Sequence, residues 1–194
     1  MNTIPLFPLN TLLFPEVSIS LQIFEPRYLD MIARCLKQES GFGVVLIREG
    51  EEVGEAAQVF PVGVLAEIVD WHQQENGLLG IKVRGTRKFK ISETERHADQ
   101  SLSARVCFLE DEEALPIGDH HDGLVALLGQ LLEHPAIQPL NLPALDDARQ
   151  LGWQLTQLLP LSRPDKVALL ALDDPWLRLD HLAERIEHLA AGDE

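Results

Sequence analysis

Three scarcities bound this chain before any pattern is sought. Cysteine occurs only twice, at Cys35 on the first helix and Cys107 in a strand pattern, which gives no reason to propose a disulfide; two buried free thiols in a reducing cytosol are expected. Long apolar runs are missing: nothing approaches the roughly 20 residues that a membrane span needs. The opening Met1-Asn2-Thr3 is not a basic segment leading into an apolar stretch and a cleavage site, so no secretory signal is expected and the location expected is cytoplasmic. Positive charge is also scarce, with 16 Lys and Arg against 31 Asp and Glu and a formal net charge of −15. Such a surface repels phosphate backbones and favours solubility.

Catalytic signatures are missing as well. There is no G-x-x-x-x-G-K-[ST] phosphate loop and no G-x-S-x-G nucleophile elbow. Ser18, Ser20 and Ser103 fall on the outward positions of alternating segments, and Ser162 reads as a helix cap. A non-enzymatic protein without a cofactor is the expectation.

What is present begins with 45% hydrophobic residues over 194 positions, enough for one or two small domains with a packed core. Prolines punctuate the first 26 residues at Pro5, Pro8, Pro15 and Pro26. Between the last two, Val17, Ile19, Leu21 and Ile23 alternate with Ser18, Ser20 and Gln22, which predicts a half-buried strand. The period then changes, with Leu29, Ile32 and Leu36 at helical spacing. Pro26 suits the first helical position, where its missing N–H loses no partner. A strand thus feeds a helix through Glu25-Pro26-Arg27-Tyr28.

Further strands are predicted at Phe42 to Ile47, Pro61 to Val69, Gly80 to Arg84, Thr86 to Ile91 and Ser101 to Phe108. In the last, Leu102, Ala104, Val106 and Phe108 share a face. Gly50 to Ala56 reads as an exposed loop, and Asn76-Gly77 as a turn within a loop beginning near His72. The acidic run Glu110 to Glu113, with Pro116, reads as a linker. Charge shifts there too: residues 1–110 balance to −4 and residues 111–194 to −11. Beyond it the period is helical. Leu124, Leu127, Leu128 and Leu131 form one stripe, and Leu145, Ala148, Leu151, Leu155 and Leu158 a second. Ser162-Arg163-Pro164-Asp165 is a helix start signal, Val167 to Leu172 reads as a short helix, and a last one starts at Asp174-Pro175 with the stripe Leu179, Leu182, Ile186 and Leu189. The expectation is α+β: a β-rich domain over 1–112 with one early helix, then an acidic helical bundle over 113–194.

The opening block resembles the N-terminal, substrate-binding domain family of Lon proteases. Pro5-Leu6-Phe7-Pro8-Leu9, Leu13-Phe14-Pro15 and Leu21-Gln22-Ile23-Phe24-Glu25-Pro26-Arg27-Tyr28 carry the likeness. A second match is Gly80-Ile81-Lys82-Val83-Arg84-Gly85-Thr86-Arg87-Lys88-Phe89-Lys90-Ile91. The resemblance implies a PUA-like β pseudobarrel and a stand-alone form lacking the ATPase and protease modules. It also implies a role in holding polypeptide substrates or protein partners, linked to proteolysis or quality control.

Candidate sites follow. Phe24, Glu25, Arg27 and Tyr28 form either a recognition surface or a clamp in which Phe24 and Tyr28 pack while Glu25 and Arg27 make a bonded pair. Arg84 or Arg87 is a candidate cation for Glu25. Lys82, Arg84, Arg87, Lys88 and Lys90, with Phe89 among them, are either a patch for RNA or an acidic partner, or side chains paired with carboxylates and solvent. The acidic balance makes nucleic acid the weaker expectation. His120-His121-Asp122 reads as an acidic helix start with two solvated imidazoles, because adjacent helical residues diverge by about 100°. His181, Glu184 and His188 share an exposed helical face without an evident fourth ligand. No metal site is expected from either group. The alternatives to polypeptide binding are a PUA-like RNA binder and a hydrolase whose site spacing does not reveal.

Overall fold

The computed structural model describes residues 2–74, 77–135, 137, 142 and 144–192. These fall into two compact units, Met1–Leu109 and Glu110–Glu194. Among the described residues the class is mixed α+β, with a six-stranded sheet and five α-helices.

The first unit holds β1 (Asn2–Leu9), β2 (Ser18–Ile23), α1 (Pro26–Gln38), β3 (Phe42–Glu49), β4 (Gln58–Gln73), β5 (Leu79–Arg96) and β6 (Leu102–Phe108). Strand order is β2-β5-β4-β3-β1-β6, and β5 and β6 also pair, so β5, β4, β3, β1 and β6 form a closed circuit. Only β2 stands outside it.

β1 was not expected, because two prolines interrupt it. The register explains their tolerance. Asn2 to Leu6 pair with β6, and Leu6 to Leu9 pair with β3, so each half is bonded on one side. Pro5 and Pro8 fall in different halves, where a missing N–H can face the unpaired side.

The two strands expected around Gly85 are one. β5 runs unbroken for 18 residues and is shared. β4 lies along one side, while on the other β2 pairs with Leu79 to Arg84 and β6 with Phe89 to Arg96. Gly85 sits at the handover. It bonds the chain before β2 through Glu16 N–H to Gly85 O and Gly85 N–H to Val17 O, both 2.9 Å. A Cβ there would stand 2.2 Å from the carbonyl oxygen of Phe14, so only glycine fits the crossing.

Helix α1 buries Arg27, Tyr28, Met31, Ile32 and Cys35. The stripe expected through Leu29 and Leu36 is displaced by about one position, and both leucines are more than a third exposed. Phe89, fully buried, lies over Gly43 and Gly63, where a Cβ would approach its ring tip to 2.6 and 2.7 Å. Cys107 is exposed, contrary to expectation. It lies on the opposite face of β6 from Leu102, Ala104 and Val106, which are buried. Of the expected Asn76-Gly77 turn, Asn76 lies outside the described residues, while Gly77 has φ 82°.

The second unit holds a 3-10 turn (Asp119–His121), then α2 (Asp122–Leu132), α3 (Ala148–Leu158), α4 (Arg163–Ala171) and α5 (Pro175–Ala191). Asp147, Ser162 and Asp174 cap α3, α4 and α5 by accepting first-turn N–H bonds. Leu124, Leu128, Leu151, Leu155, Leu179 and Leu182 form their shared core. Leu145 precedes α3, and Leu189 is 45% exposed near the end of α5, so both stripes are shorter than their sequence periodicity.

The acidic run before the turn is not a solvated linker throughout. The Glu112 side chain is 2% exposed and meets Arg178, itself fully buried, at 2.5 and 2.8 Å. Arg178 also donates to the carbonyls of Leu169 and Leu172. Gly152 leaves room for it, since a Cβ there would stand 2.9 Å from Arg178 Cδ.

Candidate functional site

The β2–α1 junction builds the groove of greatest interest in the first unit. Ile23 ends β2 facing the core. One residue on, Phe24 must face the other way, and it is 53% exposed. Phe24 therefore does not take the packed place that the clamp alternative gave it, and the cause is the strand's own alternation. Pro26 then opens α1, with Glu25 at the cap position in extended conformation. The Glu25 side chain makes no capping bond. Its carbonyl instead accepts N–H bonds from Tyr28 and Leu29 at 3.0 Å.

Arg27 is the anchor of this junction and is only 6% exposed. Its guanidinium meets Glu25 Oε2 at 2.9 Å and donates to Gln100 O at 2.8 Å and Glu52 O at 3.3 Å. It also lies over the Tyr28 ring, 4.6 Å from the centroid. One cation therefore fastens three segments: the junction, the loop after β3 and the turn between β5 and β6. Tyr28 packs on Phe7 with centroids 4.3 Å apart, and Phe7 on Phe42 at 5.8 Å. Burial, partly offset by Arg27 and reinforced by Glu25 and Glu52, pushes the Tyr28 hydroxyl up to about 12.

Beside this clamp runs a groove of about 170 Å³ lined by Phe7, Leu21, Phe24, Tyr28 and Val53 among others. Val53 is 52% exposed. It belongs to the loop read from sequence as merely exposed. Glu52 holds that loop in place, its carbonyl bonded by Arg27 and its Oε1 accepting from Asn10 N–H. The groove follows Ser20 to Ile23 of β2, which pairs with β5 on one side and with no other strand among the described residues. The site thus combines apolar surface with an available strand edge.

The other expected residues lie elsewhere. Arg84 stands opposite Ser18 in the β2–β5 register, at the far end of β2 from Glu25. Six residues of strand separate the two, roughly 20 Å. Arg87 lies over Phe108 at 4.9 Å and donates to Leu109 O. The cation paired with Glu25 is therefore Arg27, neither Arg84 nor Arg87. Phe89 is core and packs edge-on to Phe108 at 6.4 Å. The basic cluster does not share one face. Lys88 is 4% exposed, while Arg84 and Lys82 stand opposite Glu67 and Asp70 of β4. Register shifts between β4 and β5 break the alternation on which a continuous patch would depend.

In the second unit, His121 corrects the expectation of two solvated imidazoles. It is 2% exposed, with Nε2 2.9 Å from Asp180 Oδ1. No sequence signal joins residues 59 positions apart.

Comparison with known proteins places these observations. The family model described as the ATP-dependent protease La (LON) substrate-binding domain matches residues 3–188. The chain belongs to this family. A Lon N-terminal domain protein from Xanthomonas campestris has a similar structure, with TM-score 0.79 and 31% identity, covering 95% of this chain and 98% of that one. The N-terminal domain of the Mycobacterium avium complex Lon protease shares the fold, with TM-score 0.62 at 20% identity over 94% and 97% of the two chains. The Lon protease of Parabacteroides distasonis is 30% identical over 69% of this chain and 17% of its own length. Protein cereblon of Gallus gallus is 29% identical over 91% of this chain and 38% of its own length. The chain therefore spans less than half of these curated relatives. Among the described residues no helix is long and apolar enough to cross a membrane.

Proposed function

We propose that this Lon-type chain is a non-enzymatic polypeptide receptor serving proteolysis or protein quality control, and that the β2 groove is where polypeptide docks. The observation that carries this reading is the exposed pair Phe24 and Val53 flanking a strand edge, in a family named for substrate binding. An extended peptide would add its backbone to β2 and set alternate apolar side chains against Leu21, Phe24 and Val53. The closed strand circuit supports a PUA-like pseudobarrel over 1–112, and the shared leucine core supports a helical bundle over 113–194. The missing phosphate loop and nucleophile elbow support a chain that neither hydrolyses ATP nor cuts the bound polypeptide. A cytoplasmic location and the lack of a cofactor belong to the same proposal.

A groove this shallow supplies modest buried area after association costs, so dissociation constants of about micromolar are expected. Fluorescence anisotropy with an unstructured apolar peptide and a short RNA, each across a salt series, tests the reading. Peptide binding that persists at physiological salt and weakens about tenfold in Phe24→Asp is the expected result. Tighter RNA binding with a steep negative salt slope would replace it with the nucleic-acid alternative.

A further inference from the structure

We propose that His120, His121 and Asp180 form a binding site for a borderline transition-metal ion, zinc being the best fit. Their ligand atoms all lie within 4.8 Å of one another, the one such group of three His, Cys, Asp or Glu side chains among the described residues. The sequence argument against this place was that adjacent helical residues diverge. The backbone here is instead a 3-10 turn preceding α2, and the two imidazole centroids are 3.8 Å apart. Gly118 makes this possible, because a Cβ there would stand 2.6 Å from His120 Cε1. Asp180 arrives from α5 to complete the set.

The chemistry of the donors selects the ion. Two imidazoles and one carboxylate suit zinc and its neighbours, whereas calcium and magnesium prefer all-oxygen sets. Zinc holds nitrogen and oxygen at about 2.0–2.1 Å, which places tetrahedral ligand atoms roughly 3.3 Å apart. The His121 Nε2 to Asp180 Oδ1 separation of 2.9 Å is already near that value. His121 is nearly sealed from solvent, and Nε2 is the ring nitrogen that faces Asp180. His120 and Asp180 are exposed, so an ion has an open approach and solvent can fill the fourth position. The net charge of −15 draws cations to the surface generally.

The test uses tag-free full chain, stripped with chelator, titrated with Co²⁺ in the visible range and with Zn²⁺ by calorimetry. One equivalent should bind, with the intense visible bands of tetrahedral cobalt, displaced by zinc. His120→Gln and Asp180→Asn, both at exposed positions, should each weaken zinc at least tenfold while circular dichroism stays unchanged. His188→Gln, on the exposed end of α5, should bind like the parent. Absence of one-equivalent binding, or a loss below tenfold in either site variant, overturns the proposal. So does loss of binding in His188→Gln, which would assign the ion to the His181–His188 face instead.

Discussion

Arg27 shows how much one side chain can carry. Its guanidinium is nearly buried and bonds one carboxylate and two carbonyls from three separate segments. Removing either member of such a pair strands a charge or its ligands in a place water reaches poorly. Arg27→Ala and Glu25→Ala should each cost on the order of 3 kcal/mol and lower the melting temperature by several degrees. Unchanged melting in Glu25→Ala would show the pair to be ornamental. Tyr28 offers a second reading of the same place, because it is the chain's one tyrosine and its tyrosinate absorbance reports on it alone. Its folded value is raised to about 12 from the ordinary 10.0, so the unfolded chain loses the proton first as pH rises. The stability it contributes is complete below pH 10 and is lost between pH 10 and 12, on the order of 2–3 kcal/mol. A midpoint near 10 in the native protein would mean that Tyr28 is wetter than its packing against Phe7 implies.

At the scale of elements, β5 decides the first unit, because β4, β2 and β6 all pair with it. Gly85→Ala should prevent the chain before β2 from crossing at 2.2 Å, and the variant is expected to be destabilised by several kcal/mol or to be recovered as aggregate. A soluble variant with parental melting would contradict the crossing. In the second unit, Glu112→Gln should be costlier than the double replacement Glu112→Leu with Arg178→Met, since the single change leaves a buried charge unpaired. Chemical denaturation of both variants checks the order.

Period and caps made much of this architecture legible. β2, the first turn of α1 and the starts after Ser162 and Asp174 depend on neighbours within a few residues, and they stand where the pattern placed them. β1 was hidden because its prolines are tolerated only through pairings on alternate sides. The continuity of β5 was hidden because Gly85 looks like a break until the chain it crosses is known. At the groove, the Glu25–Arg27 pair was legible from adjacency. The roles of Glu52, Gln100 and Val53 were not, since only the tertiary fold brings them to Arg27 and Phe24. Asp180 at His121 is the same case at longer range.

At the scale of the whole molecule, charge and apolar surface point in the same direction. A chain at −15, with its basic β5 residues on differing faces and two of them opposite carboxylates, has little to offer a phosphate backbone. An apolar groove beside a strand edge, in a Lon substrate-binding domain, has much to offer an extended polypeptide. The central claim is that polypeptide docks along β2. Amide hydrogen exchange of the full chain, with and without saturating unstructured apolar peptide, tests it most directly. Slowed exchange confined to Ser18–Ile23 and the loop at Glu52 and Val53 is the predicted result. Peptide binding that leaves β2 exchange untouched and protects another surface would contradict it.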